Sequence, residues 1–122
     1  MIDHISMPVA DLDRSRVFYD AALRPIQLEI LETTARSAVY GTALGRHLLI
    51  LHSSPRKVRV EQTFHVAFHA SAKAAVDAFY LAGINAGGSD AGEPGPRLEY
   101  LPTYYAAYLE DPDGHRIEAV CR

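Results

Sequence analysis

The sequence predicts an α+β fold of two βαβββ modules in tandem forming a cleft. Three observations predict it. First, His4, Phe18 and Tyr19 fall on His65, Phe79 and Tyr80 at one shift, 65 − 4 = 61. Second, Gly45 to Leu51 lies over Gly114 to Val120 at a shift of 114 − 45 = 69, so the second half has gained residues between the two matches. Third, each half reads as strand, helix and three further strands. Neither half could bury both faces of its sheet alone, so side by side they are expected to form one larger sheet and enclose a cavity.

The elements follow from local pattern. Ile2 to Val9 alternates, with Ile5, Met7 and Val9 on one face and His4, Ser6 and Pro8 on the other. Asp11 can cap a helix from Leu12 to Leu23, with Val17, Phe18, Ala21 and Ala22 as its apolar stripe. Arg24-Pro25 ends it, because a residue before proline disfavours the α region. Ile26 to Glu32, Arg36 to Tyr40 and Arg46 to His52 read as strands, with a turn from Gly41 to Gly45. Ser53 to Lys57 is a polar break. Gln62 to Ala70 opens the second series, and Ser71 can cap a helix from Ala72 to Ala82 closed by Gly83. Its stripe is Val76, Phe79 and Tyr80. A short strand is expected at Ile84 and a loop through the Gly/Pro-rich Gly87 to Pro96. Tyr104 to Leu109 and Arg116 to Cys121 are strands joined by the turn Asp111-Pro-Asp-Gly114. The chain is read as one domain, residues 1–122, with module one at 1–55 and module two at 62–122.

Composition narrows the function classes. The 48% hydrophobic and 22% charged content is that of a globular domain. A net charge of −3 leaves no excess of cations, so nucleic acid is not expected as a partner. The lone cysteine, Cys121, cannot form an intrachain disulfide, which is compatible with a cytoplasmic location. No signal peptide is expected behind Met1, and no apolar run approaches the ~20 residues of a membrane span.

The chemistry centres on Glu118. It interrupts an apolar strand between Ile117 and Ala119, and a carboxylate there is costly to bury without a partner. An ion pair with Arg116 or Arg46 is one solution. The repeat offers another, since His4 and His65 occupy matching places on the first strands of the two halves. Two imidazoles and a carboxylate form a facial metal set with positions open for water or substrate. The position matching Glu118 in the first half is read as Leu49, so no fourth ligand is expected there.

His4, His65 and the run Asp111-Pro-Asp-Gly-His-Arg-Ile-Glu118 together resemble the vicinal oxygen chelate superfamily over essentially the whole chain. That group includes glyoxalase I, fosfomycin-resistance thiol transferases, extradiol dioxygenases and bleomycin-resistance proteins. The resemblance implies a glyoxalase-like fold. It also implies a divalent ion (Fe, Mn, Ni or Zn) held by His4, His65 and Glu118, and a small oxygen-chelating substrate. Tyr108 and Tyr105 are candidate catalytic hydroxyls; His69 and Tyr104 are further candidates for the assisting His and Tyr that an extradiol dioxygenase would imply, and His52 is a reserve ligand. Leu49 replaces a glyoxalase I metal ligand, whereas the fosfomycin transferases use a three-ligand set matching this chain. In those transferases hydroxyl residues fall at the places of Ser6 and Tyr108. The reaction implied is that of a lyase, thiol transferase or dioxygenase. The alternative is a metal-free, drug-sequestering protein of the bleomycin-resistance branch. Members often build their cleft from two chains, so a homodimer is expected.

Overall fold

The computed structural model describes residues 1–122. The first module runs β1 (Ile5–Val9), α1 (Leu12–Leu23), a 3₁₀ turn (Arg24–Ile26), β2 (Glu29–Thr33), β3 (Ser37–Gly41) and β4 (His47–Ser53). The second runs β5 (His65–His69), α2 (Lys73–Asn85), β6 (Ser89–Pro96), β7 (Tyr105–Glu110) and β8 (Arg116–Cys121). The two βαβββ units are thus present. Each makes its own four-stranded sheet, in the orders β1-β4-β3-β2 and β5-β8-β7-β6. The expected single larger sheet is not formed within one chain: β1 and β5 are edge strands, and neither finds a strand partner in the other module. The modules are joined instead through one core of 21 buried residues drawn from both helices and both sheets. No helix is long and apolar enough to cross a membrane.

Helix α1 begins where Asp11 accepts a hydrogen bond from the Arg14 amide at 3.0 Å. Its buried residues are Ser15, Phe18, Tyr19, Ala22 and Leu23, a regular helical stripe. Val17, expected on that stripe, is exposed instead, because the buried face is centred one position on. The strand expected from Ile26 starts only at Glu29, since Pro25 seeds the 3₁₀ turn and Gln27 closes it in the left-handed region (φ 64°).

Helix α2 departs further from expectation. No side chain caps it: Ala72, not Ser71, holds the N-cap position. It also runs through Gly83 and Ile84, so no strand forms at Ile84. The stop is Gly87, with φ at 100°. The Gly87 and Gly88 amides bond back to the Ile84 and Gly83 carbonyls at 3.4 and 2.9 Å, a Schellman closure. Gly83 has a packing role instead: a Cβ there would overlap the Leu109 side chain and sit 3.2 Å from the Phe18 ring. We expect Gly83→Ala to destabilise the fold by about 1–3 kcal/mol through overpacking, read from its urea midpoint.

The Gly/Pro-rich stretch expected as a loop is β6, an edge strand paired with β7. Its register shifts on both sides of Gly92, and an edge is where a strand tolerates proline.

Candidate functional site

The site is built on the face of the second sheet that points away from the shared core. Along β8, Ile117 and Ala119 belong to the core, so Glu118 between them faces the other way. It lies opposite Ala67 of β5 and Tyr108 of β7. Its residue is nonetheless only 1% exposed. Two groups partner the carboxylate: His65 Nε2 stands 3.0 Å from Oε2, and the Tyr104 hydroxyl donates to Oε1 at 2.6 Å. The Tyr108 ring packs edge-on against the His65 ring with centroids 5.7 Å apart. Arg116, weighed as an ion-pair partner for Glu118, pairs with Glu110 at 3.2 Å instead, and Arg46 is not among the partners of Glu118.

Burial and the Glu118 hydrogen bond push the Tyr104 phenol up to about 12. Burial, followed by the charge of Glu118, raises Tyr108 as well. Both hydroxyls are therefore neutral donors at physiological pH. The folded chain holds the Tyr104 proton more tightly than the unfolded chain, whose phenol titrates near 10.0. Stability from this group is present below that pH and is lost as pH rises through about 12. In Glu118→Gln the charge is gone, and the Tyr104 transition is expected to move below about 12, as followed by isotope-labelled tyrosine NMR.

The remaining sequence candidates separate. Tyr105 lies three residues from Tyr108 and so points to the opposite face. Its hydroxyl donates to Asp77 of α2 at 2.7 Å, and Lys73 stands 5.5 Å over its ring. The tyrosine that joins Glu118 beside Tyr108 is Tyr104, just outside β7. Sequence alternation held the signal for this, since Tyr104 and Tyr108 share parity with one another and Tyr105 does not. His4 precedes β1, is exposed, and bonds Asp3 at 2.7 Å. No group of three or more His, Cys, Asp or Glu side chains converges within one chain, so His4 does not join His65 and Glu118 there. His52 lies on β4 and His69 ends β5; neither contacts Glu118.

The counterpart of Glu118 also changes. Gly41 pairs with His47 but Tyr40 with Leu49, so Leu48 is an extra residue bulged into β4. Beyond the bulge the offset to β8 is 117 − 49 = 68, since Leu49 opposes Ile5 as Ile117 opposes Val66. Glu118 therefore matches Ile50, which opposes Ser6 as Glu118 opposes Ala67. Leu49 belongs to the core. The substitution is still apolar, so the first module supplies no matching carboxylate.

A cavity of about 510 Å³ opens beside Glu118, and every residue lining it, from His65 to Arg122, belongs to the second module. The donor chemistry suits a borderline divalent ion: an imidazole nitrogen and a carboxylate oxygen stand 3.0 Å apart on one sheet face. One chain thus brings together two of the three residues expected from the sequence as donors, His65 and Glu118.

Comparison with known proteins gives the family and the fold. A family model described as the Glyoxalase/Bleomycin resistance protein/Dioxygenase superfamily matches residues 1–119. Metallothiol transferase FosB of Shouchella clausii (strain KSM-K16) is 29% identical over 118 residues, which cover 96% of this chain and 77% of that protein. The crystal structure of a glyoxalase/bleomycin resistance protein from Albidiferax ferrireducens T118 superposes with a TM-score of 0.90 at 29% identity, covering 100% of this chain and 99% of the other. A glyoxalase-related enzyme from Fulvimarina pelagi, 18% identical, shares the fold with a TM-score of 0.74 over 98% of this chain and 86% of its own.

Proposed function

This chain belongs to the Glyoxalase/Bleomycin resistance protein/Dioxygenase superfamily, and from that premise we propose that it is a homodimeric metalloenzyme acting on a small oxygen-chelating substrate. His65 and Glu118 of one protomer, with His4 of the partner subunit, would hold the divalent ion. The observation that carries this reading is the nearly inaccessible Glu118 carboxylate facing His65 on the face away from the core. A structural ion pair would be satisfied anywhere; this one stands at the edge of a ligand-sized cavity. The strand edges support the sharing: His4 sits at the head of β1 and His65 at the head of β5, both open to pairing with a second copy. The FosB relative, a metallothiol transferase by name, supports metal use.

When bound, such an ion polarises substrate oxygens and stabilises the negative charge that develops on them. The chain's own residues do the rest. Glu118 supplies a carboxylate whose second oxygen is held in place by Tyr104. Tyr108, kept neutral by burial, can donate a hydrogen bond to a substrate oxygen. His65 is exposed and lines the cavity.

The second reading, a metal-free binding protein, is favoured by one fact: His65 and Tyr104 already satisfy both oxygens of Glu118 without an ion. Metal analysis of protein purified without chelators or an affinity tag separates the two. The enzyme reading expects a stoichiometric Mn, Fe, Ni or Zn ion, a gain in melting temperature on adding it, and a dimer by light scattering. No metal, no thermal gain and a monomer at micromolar concentration would overturn it.

A further inference from the structure

Building on that reading of the site, we infer that Asp3 is a positioning residue for His4: its carboxylate accepts the Nδ1–H of the ring and leaves Nε2 bare as the nitrogen that faces an ion. The two histidines of the proposed donor set are held in different ways. His65 leans on the Tyr108 ring, with centroids 5.7 Å apart, and turns Nε2 toward Glu118 at 3.0 Å. His4 has no such support. It precedes β1, lies outside the shared core, and its side chain is 44% exposed. Its ring is fixed by Asp3, whose Oδ1 stands 2.7 Å from Nδ1. At the repeat shift of 64 − 3 = 61, Asp3 matches Phe64, so a carboxylate stands beside the histidine only in the module where packing does not orient the ring.

The chemistry follows from the contact. An ionised carboxylate can only accept a hydrogen bond, so in a neutral ring the proton sits on Nδ1. The lone pair is then on Nε2, the same atom that His65 turns toward Glu118. A carboxylate behind an imidazole also makes that lone pair a better donor to a cation. The side chains that could draw Asp3 away are engaged elsewhere: Arg46 Nη2 lies 3.6 Å from Met1 Sδ, and His47 Nε2 lies 3.3 Å from Glu32. The fold does not depend on the Asp3–His4 contact. The Asp3 side chain is 94% exposed, and an ion pair in that setting contributes little to stability.

The test compares the native sequence with Asp3→Asn, whose amide can accept or donate and so no longer fixes the tautomer. In metal-free protein, nitrogen-15 NMR of the neutral His4 ring should find its proton on Nδ1 in the native chain and shared between the two nitrogens in the variant. Mn²⁺, Fe²⁺, Ni²⁺ and Zn²⁺ are then titrated singly against a competing chelator, Fe²⁺ without oxygen. Asp3→Asn should weaken the ion that binds by about 10- to 100-fold, with the stoichiometry at saturation unchanged. The metal-free melting temperature should not move. Equal affinity in the two proteins, or a native His4 protonated on Nε2, would overturn the inference and leave the metal reading standing. A metal-free melting temperature lowered by Asp3→Asn would mark a structural role and overturn it as well. If the native protein takes up none of the four ions, the metal reading itself fails and the positioning role fails with it.

Discussion

A dimer assembled from one His4→Ala chain and one His65→Ala chain is expected to bind metal, although neither variant alone does. In the shared arrangement each ion takes His4 from one protomer and His65 and Glu118 from the other. A homodimer of either variant lacks one donor at both sites. In the mixed dimer one site loses both histidines. The other joins the intact His4 of one chain to the intact His65 and Glu118 of its partner. If the three donors came from a single chain, every site in the mixture would be broken. The structure motivates the experiment because His4 does not converge with His65 and Glu118 within one chain. Loss of one of three ligands should weaken the ion beyond detection by stoichiometric assay, an effect larger than the 10- to 100-fold typical of outer-shell changes. Both substitutions are at exposed positions, so folding is expected to survive. Metal bound by purified His65→Ala, or no recovery on mixing after confirmed subunit exchange, would sink the shared site.

Asp111→Ala should lower stability by about 2–4 kcal/mol, a large share of the ~5–15 kcal/mol of a typical domain. Asp111 is 3% exposed. One carboxylate oxygen accepts from the fully buried Tyr19 hydroxyl at 2.8 Å, and the other accepts from the Asp113 and His115 amides, each at 2.9 Å. Removing it leaves a buried hydroxyl without an acceptor and frees the turn between β7 and β8. Tyr19→Phe removes the donor as well, so the double variant should be less destabilised than the sum of the singles, a cycle measurable by urea unfolding. pH adds a check. Burial pushes the Asp111 carboxyl above its ordinary 3.8, against the pull of its hydrogen bonds. The folded chain therefore holds that proton more tightly than the unfolded one. Stability from this group is full below 3.8 and falls as pH rises through the folded value, a slope that Asp111→Asn should lack.

The Asp111-Pro-Asp-Gly114 run was legible as a turn, and a turn it is, with Gly114 at φ 94°. Nothing local marked its second task. Asp113 accepts from the Ala10 amide at 3.3 Å and from Arg14 at 3.2 Å, at the start of α1. His115 Nε2 stands 2.8 Å from the Pro8 carbonyl. With the Asp111–Tyr19 bond, these contacts clasp the second module to the first helix. Each partner lies about a hundred residues away in sequence, where periodicity carries no information. The β4 bulge was hidden for a related reason: an extra residue in one strand leaves composition untouched and shows only in the pairing with β3. The β6 strand was missed because glycine and proline are turn signals everywhere except at a sheet edge.

By itself the sequence determined the two βαβββ modules, because hydrophobic period and the repeated His and Phe-Tyr positions are local facts. It also determined that Glu118 needs a partner, since a carboxylate between two core residues is costly wherever the strand is placed. Only the tertiary structure decided which partners it has. Strand pairing and face alternation bring His65, Tyr104 and Tyr108 to Glu118 and send Tyr105 to the helix side. The core shared by the two modules leaves β1 and β5 as open edges and His4 apart from Glu118, so in the proposed metal site His4 would come from a second copy of the chain.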